Sequence, residues 1–328
     1  MRVAVIFTGA LRTVKKTMRY FKENVLRDGV DVFVCVQNDT SQPEEEWTEW
    51  FREEMGTHLR SIEWFSISKY PEWTTQRDTI LEHMVLEDVW KNYLRSSGSM
   101  IEYFQLHLAN MKMCQYEQQR GFQFEYLIRA RTDTIYAKPV DFHWLHWTDE
   151  DVARRVLRIK QILKTYKMEC NEKSVLRYFM STLLSDTTLP NIPRIFANCV
   201  LNDADCVPLN VTDIPYETTL NQYIKNGRYI LTIRQNNLYL IRRNLFFLIP
   251  SLGTMYGLPR SPAADDYWFN AECQFRSACY YSGISIYDYS TMFEERSLEY
   301  AGKWREETFF DLSYNLINPS MLYCVVRM

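Results

Sequence analysis

The sequence predicts an α/β protein built on a mostly parallel central sheet flanked by helices. Three observations carry that expectation. Val3–Phe7 and Val30–Val36 are apolar runs rich in β-branched residues, the pattern of strands covered on both faces. Between them Val14, Met18, Phe21 and Val25 recur at spacings of four, three and four, a single apolar helical stripe. Phe124–Ala130 repeats the strand signal after a long helical stretch. Strand, helix and strand within the first 37 residues make a βαβ unit, whose crossover is right-handed.

Taken in order, the first strand stops at Thr8-Gly9, a turn signal, and the helix after Arg12 ends at Asp28-Gly29. Pro43–Met55, acidic and Trp-containing, predicts a surface helix, and Leu59–Ile67 a further strand. Thr79 to Tyr116 reads as two helices broken at Ser96-Ser97-Gly98-Ser99, the second carrying Phe104, His107, Met111 and Cys114 on one face. Pro139 and Phe142–Trp147 read as loop. The stretch 149–215 is irregular apart from a helix near Val175–Leu184 and a short strand near Ile195–Leu201. Arg228–Ile233 and Leu238–Ile241, around Gln235-Asn236-Asn237, predict a small hairpin beside the sheet. Asp265–Tyr281 predicts a helix opened by an acidic pair, which suits its dipole. One domain over 1–328 is the economical organisation.

Composition narrows the function. With 46% hydrophobic and 24% charged residues and a net charge of -3, the chain is globular and lacks the basic excess of a nucleic-acid binder. No apolar run approaches the roughly 18–20 residues of a spanning helix, so no transmembrane segment is expected. Arg12, Lys15 and Lys16 follow the first apolar run too closely for a secretory leader, and a cytoplasmic chain is expected. The eight cysteines are scattered without a Cys-x-x-Cys pair, which implies reduced thiols rather than a zinc site or a disulfide framework. There are 10 glycines and no G-x-G-x-x-G or G-x-x-x-x-G-K-[ST], against the folds that cradle phosphate on glycine backbone. The 22 Tyr, 18 Phe and 9 Trp serve a core, and they also suit packing against the apolar face of a sugar.

Candidate site residues lie where strands end. Thr8, Gly9 and Arg12 span the first strand-to-helix turn, where backbone N–H groups of α/β proteins receive phosphate; the alternative is a plain turn with an exposed Arg. Tyr126–Asp133 is an apolar strand that acquires Arg129, Arg131 and Asp133 at its end. Alternation places these three on one side, where they suit a metal-bound diphosphate or, alternatively, neutralise one another as an internal salt-bridge cluster. Asp265 and Asp266 either cap their helix or, with Glu272 six residues beyond Asp266, supply a general base toward an acceptor hydroxyl. Asp203-Ala204-Asp205 is a rival metal site, and His143-x-x-His146, without a third ligand and next to tryptophans, reads as packing.

These motifs together resemble a group of GT-A-like glycosyltransferases that includes WavE-like lipopolysaccharide-synthesis proteins and capsid-glycosylation enzymes of large DNA viruses such as chloroviruses. The resemblance rests on Thr8-Gly9-Ala10-Leu11-Arg12-Thr13, Asp31-Val32-Phe33-Val34, the helix Met100–Gln119, Arg129-Ala130-Arg131-Thr132-Asp133 and Trp268-Phe269-Asn270-Ala271-Glu272. A Gln often stands in that group where this chain has Ala10. The resemblance implies a GT-A-like fold and transfer of a sugar from a nucleotide-diphosphate donor to a glycan hydroxyl, in the host cytoplasm for a viral chain. Residues 1–148 would bind the nucleotide sugar and 149–328 the acceptor. It implies Thr8, Gly9, Arg12, Arg129, Arg131 and Asp133 at the donor, Asp133 as ligand to a Mn²⁺ or Mg²⁺ ion, and Asp266, Asp265 or Glu272 as base if the reaction inverts. Trp144, Trp147, Tyr267 and Trp268 are candidates for an acceptor platform, and several of them equally for the core. One departure stands out: Asp133-Thr134-Ile135 keeps only the first carboxylate of the Asp-x-Asp element, and the three arginines offer charge in its place.

Overall fold

The computed structural model of the protein describes residues 2–83, 87–96, 98–136, 139–140, 142–181, 183, 220–233, 238–251, 275, 278–279, 281–288 and 323–325. Among them the first 65 run β1 (Val3–Ala10), α1 (Val14–Asn24), β2 (Val30–Gln37), α2 (Glu44–Met55) and β3 (Leu59–Phe65). Helices α3 (Pro71–His83), α4 (Asp88–Ser96) and α5 (Gly98–Arg120) lead to β4 (Tyr126–Arg131) and the short β5 (Thr134–Tyr136). Then come α6 (Asp149–Thr165), α7 (Glu172–Ser181), α8 (Leu220–Asn226), β6 (Tyr229–Ile233), β7 (Leu238–Arg242), α9 (Leu248–Ser251), β8 (Ser285–Asp288) and β9 (Tyr323–Val325).

Seven strands form one sheet in the order β3-β2-β1-β4-β7-β6-β8, and β5 pairs with β9 apart from it. β1 is parallel to β2 and β4, and β2 to β3. β7 is antiparallel to both β4 and β6, while β8 is parallel to β6, so β7 alone runs against the rest. The predicted mostly parallel sheet is therefore present. The hairpin is present too, but β6 and β7 lie inside the central sheet instead of beside it.

Alternation along the buried strands divides the core into two layers. Val3, Val5 and Phe7 of β1 pack with Val14, Met18 and Phe21 of α1 and with Trp47, Phe51 and Met55 of α2. Ala4 and Ile6 face the other way, toward Tyr103, Leu106, Ala109 and Met113 of α5. This sheet-facing row of α5 differs from the predicted one. Met111 is exposed, and Phe104 stacks on Trp73 of α3 at 4.5 Å between ring centroids. α3 covers a second side of α5, so the helix is apolar on two sides and periodicity alone selects either.

α6 lies within the stretch expected to be irregular. Its buried Val152, Val156, Ile159 and Leu163 face the core at helical spacing, and Thr148 and Asp151 close a capping box at its start. Phe142–Trp147, expected as loop, contains a 3-10 turn at His143–His146. Of the helix expected over Asp265–Tyr281, residues 275, 278, 279 and 281 are helical, and 265–274 lie outside the described residues. The strand expected near Ile195–Leu201 lies outside them as well.

Candidate functional site

The chain leaves β1 through α1 on one face of the sheet and reaches β4 from α5 on the other. β1 and β4 are parallel neighbours; α5 enters β4 at its amino end, and the chain leaves the carboxyl end of β4 toward β5, whose Tyr136 carbonyl accepts the Asn24 side chain of α1. Ligands of open α/β sheets bind at the carboxyl ends of the strands. The residues at this edge are Thr8–Thr13 from β1, Asn38 and Asp39 after β2, Arg131–Asp133 from β4, and the first turns of α5.

Thr132 ties the edge together. Its N–H donates to the Thr8 carbonyl at 3.0 Å, its hydroxyl to the Ala10 carbonyl at 2.7 Å, and its carbonyl accepts the Thr17 hydroxyl from α1 at 2.5 Å. Gly9 is pressed against it: φ is 139°, and a Cβ there would stand 2.2 Å from the Thr132 hydroxyl oxygen. The glycine is thus required by its protein neighbour as well as by its backbone angle. The carbonyl of Gly9 accepts from the buried Gln105 side chain of α5 at 3.4 Å. Thr8 is fully buried at the register position opposite Arg131, and its hydroxyl has no hydrogen-bond partner.

The next turn holds a carboxylate of its own. Asp39 Oδ1 accepts the N–H groups of Leu11 at 2.8 Å and Arg12 at 3.1 Å. These are donors that the sequence offered to a phosphate. Arg12 is exposed beside them.

The charged residues of β4 do meet, and a fourth residue joins them. Arg129 and Arg131 occupy alternate positions of β4 on the side facing α5, where Glu102 lies between them. Arg129, fully buried, is ion-paired with Glu102. Arg131 Nε and Nη2 donate to the two oxygens of Asp133, each at 2.7 Å, and Nη1 lies 3.6 Å from Glu102. Burial alone would raise the Asp133 pKa. The charge of Arg131, its hydrogen bonds and the charge of Arg129 outweigh this and hold the carboxyl below its ordinary value. Among the described residues two cations and two anions leave the cluster neutral, and it is graded in depth, from 1% exposure at Arg129 to 23% at Arg131.

Thr8, Gly9, Arg129, Arg131 and Asp133 thus share one edge, with Arg12 on the adjoining turn. Asp265, Asp266, Glu272, Tyr267, Trp268 and Asp203-Ala204-Asp205 lie outside the described residues. Trp144 takes the core alternative: it is fully buried, against Tyr126, and offers no sugar a surface. Trp147 packs on Phe179, with the Arg155 guanidinium 4.9 Å from its ring centre, so it too serves packing. Glu102, Asp39 and Gln105 were not singled out from the sequence; the signal available was a buried Arg on a strand, which demands an anion without saying which.

The described residues do not form a cation seat in this arrangement. Both Asp133 oxygens are engaged by Arg131, and Ile135, where a second carboxylate would stand, is buried in β5. No three His, Cys, Asp or Glu side chains converge among the described residues. No helix among them is long and apolar enough to cross a membrane.

No family profile matches the sequence, and neither does any curated protein. Among solved structures the chain is similar to core-mannan synthase A (CmsA/Ktr4) of Aspergillus fumigatus in its Mn/GDP form, at 12% identity and a TM-score of 0.28, covering 85% of this chain and 66% of that one. It is similar to the mannosyltransferase Ktr4p of S. cerevisiae at 9% identity and a TM-score of 0.26, covering 84% of this chain and 62% of that one. The chain therefore spans a little under two thirds of either. Superposition at that level carries no activity across, and function has to be read from the site.

Proposed function

We propose that the protein is a glycosyltransferase that moves a sugar from a nucleotide-diphosphate donor to a glycan hydroxyl, in the manner of the WavE-like and large-DNA-virus enzymes that its motifs resemble. One observation carries this reading: Thr8, Gly9, Arg131 and Asp133 meet at the carboxyl edge shared by β1 and β4, with a buried hydroxyl left unpartnered beside a guanidinium fork. An α/β sheet receives a nucleotide there, and a departing diphosphate needs cations there. Arg131 and Arg12 supply them, and Arg129 holds Glu102 and lends its charge from beneath.

For an inverting reaction, Asp266, with Asp265 and Glu272 as neighbours in sequence, is the general base that takes the acceptor proton. With Asp133 closed on Arg131 we assign no step to Mn²⁺ or Mg²⁺. Cys35, Cys114 and Cys170 are thiols, which supports action in the cytoplasm.

A second reading, a non-catalytic nucleotide- or carbohydrate-binding module, draws on the missing second carboxylate. Donor hydrolysis separates the two. The enzyme releases nucleoside diphosphate from a UDP- or GDP-sugar, and Arg131→Gln and Asp266→Ala each lower that release at least tenfold. Binding of donor with no release from the unaltered protein would establish the module instead.

A further inference from the structure

Both anion seats on this edge are occupied by the protein's own carboxylates. Asp39 takes the N–H groups of Leu11 and Arg12, and Asp133 takes the fork of Arg131. A guanidinium binds phosphate oxygens in the same two-point geometry that it uses for a carboxylate. Among the described residues the four-charge cluster is neutral, so it offers an incoming anion no net attraction, and the anion gains the Arg131 fork only by replacing the carboxylate already there.

Asp133 is the member placed to yield. It sits in the two-residue turn between β4 and β5, whereas Arg129 is fully buried on Glu102. Arg131 is the most exposed of the four and lies opposite Thr8, whose buried hydroxyl lacks a partner. Glu102 reaches Arg131 only at 3.6 Å, beyond hydrogen-bonding distance, so it steadies the charge without fixing the fork.

We propose that Asp133 is an internal stand-in for the donor's diphosphate, and that a bound nucleoside diphosphate takes the Arg131 fork from it while Glu102 keeps both arginines in place. This inference rests on the reading of the edge as a donor site. Asp133 then weakens binding of the diphosphate by competing for Arg131, which is the opposite of what a metal ligand does.

The test is calorimetric titration of UDP and GDP, in the presence of a chelator, into the full-length protein, D133N and R131Q. D133N should bind about tenfold more tightly than the unaltered protein, and R131Q about tenfold more weakly. D133N binding equally or less tightly overturns the exchange, as does an R131Q that binds normally. Mn²⁺ is a second arm: tenfold tightening in the unaltered protein that is lost in D133N makes Asp133 a metal ligand and also overturns it. If D133N does not fold, the Arg131 Nε–H resonance of the unaltered protein decides. It shifts on saturation with GDP or UDP if the fork is transferred and stays in place if Asp133 keeps it. No binding of either nucleotide by the unaltered protein or D133N, with or without Mn²⁺, defeats the donor reading itself.

Discussion

Gly9 joins the two strands at the heart of the site, and its neighbour leaves no room for a side chain. Thr132 cannot retreat easily: its hydroxyl is bonded to the Ala10 carbonyl and its N–H to the Thr8 carbonyl. Gly9→Ala therefore combines a clash with a φ that L residues rarely adopt, and should cost about 2 kcal/mol or more, read as a lower urea midpoint. G9A/T132A should recover part of that loss; a midpoint unchanged in G9A would show that the contact is slack. At this scale the sequence was informative about one side of each interaction. Arg129, Arg131 and Asp133 stand out because charge on an apolar strand needs a partner. Glu102, separated from Arg129 by 27 positions, carries no mark in the sequence, since any carboxylate on any helix could have met that need. Asp39 was hidden for the same reason: a cap supplied from another strand leaves no local pattern.

α5 shows the same chemistry put to two uses. At its first turns Glu102 faces the carboxyl edge of the sheet, where it pairs with Arg129. Near its end Glu117, buried, accepts Arg243 through both oxygens at 2.7–3.1 Å and the Phe124 N–H at 3.0 Å, fastening the helix to the start of β4 and the exit of β7. The mutual reinforcement raises the Arg243 pKa, the Glu117 hydrogen bond being the main cause, against the desolvation that would lower it. Glu117→Ala would leave that guanidinium uncompensated, at a cost of about 3 kcal/mol. Thermal unfolding should show the loss, while UDP or GDP binding by the folded fraction stays as before. A stability loss below about 0.5 kcal/mol would mean that solvent readily replaces the pair. Elements were legible where one period dominated. β1, α1 and β2 have a single pattern each, and all three form. The core row of α5 differs from the expected one because α3 gives the helix a second apolar side. α6 has legible signals in the sequence, a Thr148-x-x-Asp151 box and core residues four, three and four apart. The hairpin was visible from its alternation and turn residues, but its position inside the sheet was not, because strand order depends on long-range pairing.

For the whole molecule, the strand order 3-2-1-4 brings the carboxyl ends of β1 and β4 side by side, with α1 and α5 on opposite faces of the sheet. That edge carries hydroxyl, guanidinium and carboxylate groups beside Gly9. The first βαβ unit announces the sheet; the edge depends on β4 inserting beside β1, which only the folded chain displays. The central claim is that this edge binds a nucleotide-diphosphate sugar through Arg131. A melting series of the unaltered protein and R131Q against UDP- and GDP-sugars tests it most directly. A ligand at a hundred times its Kd adds about 2.7 kcal/mol to the native state, enough to raise the Tm visibly. The account predicts that at least one donor raises the Tm of the unaltered protein and leaves that of folded R131Q in place. A Tm unmoved by every donor, or a rise that survives in R131Q, would contradict it.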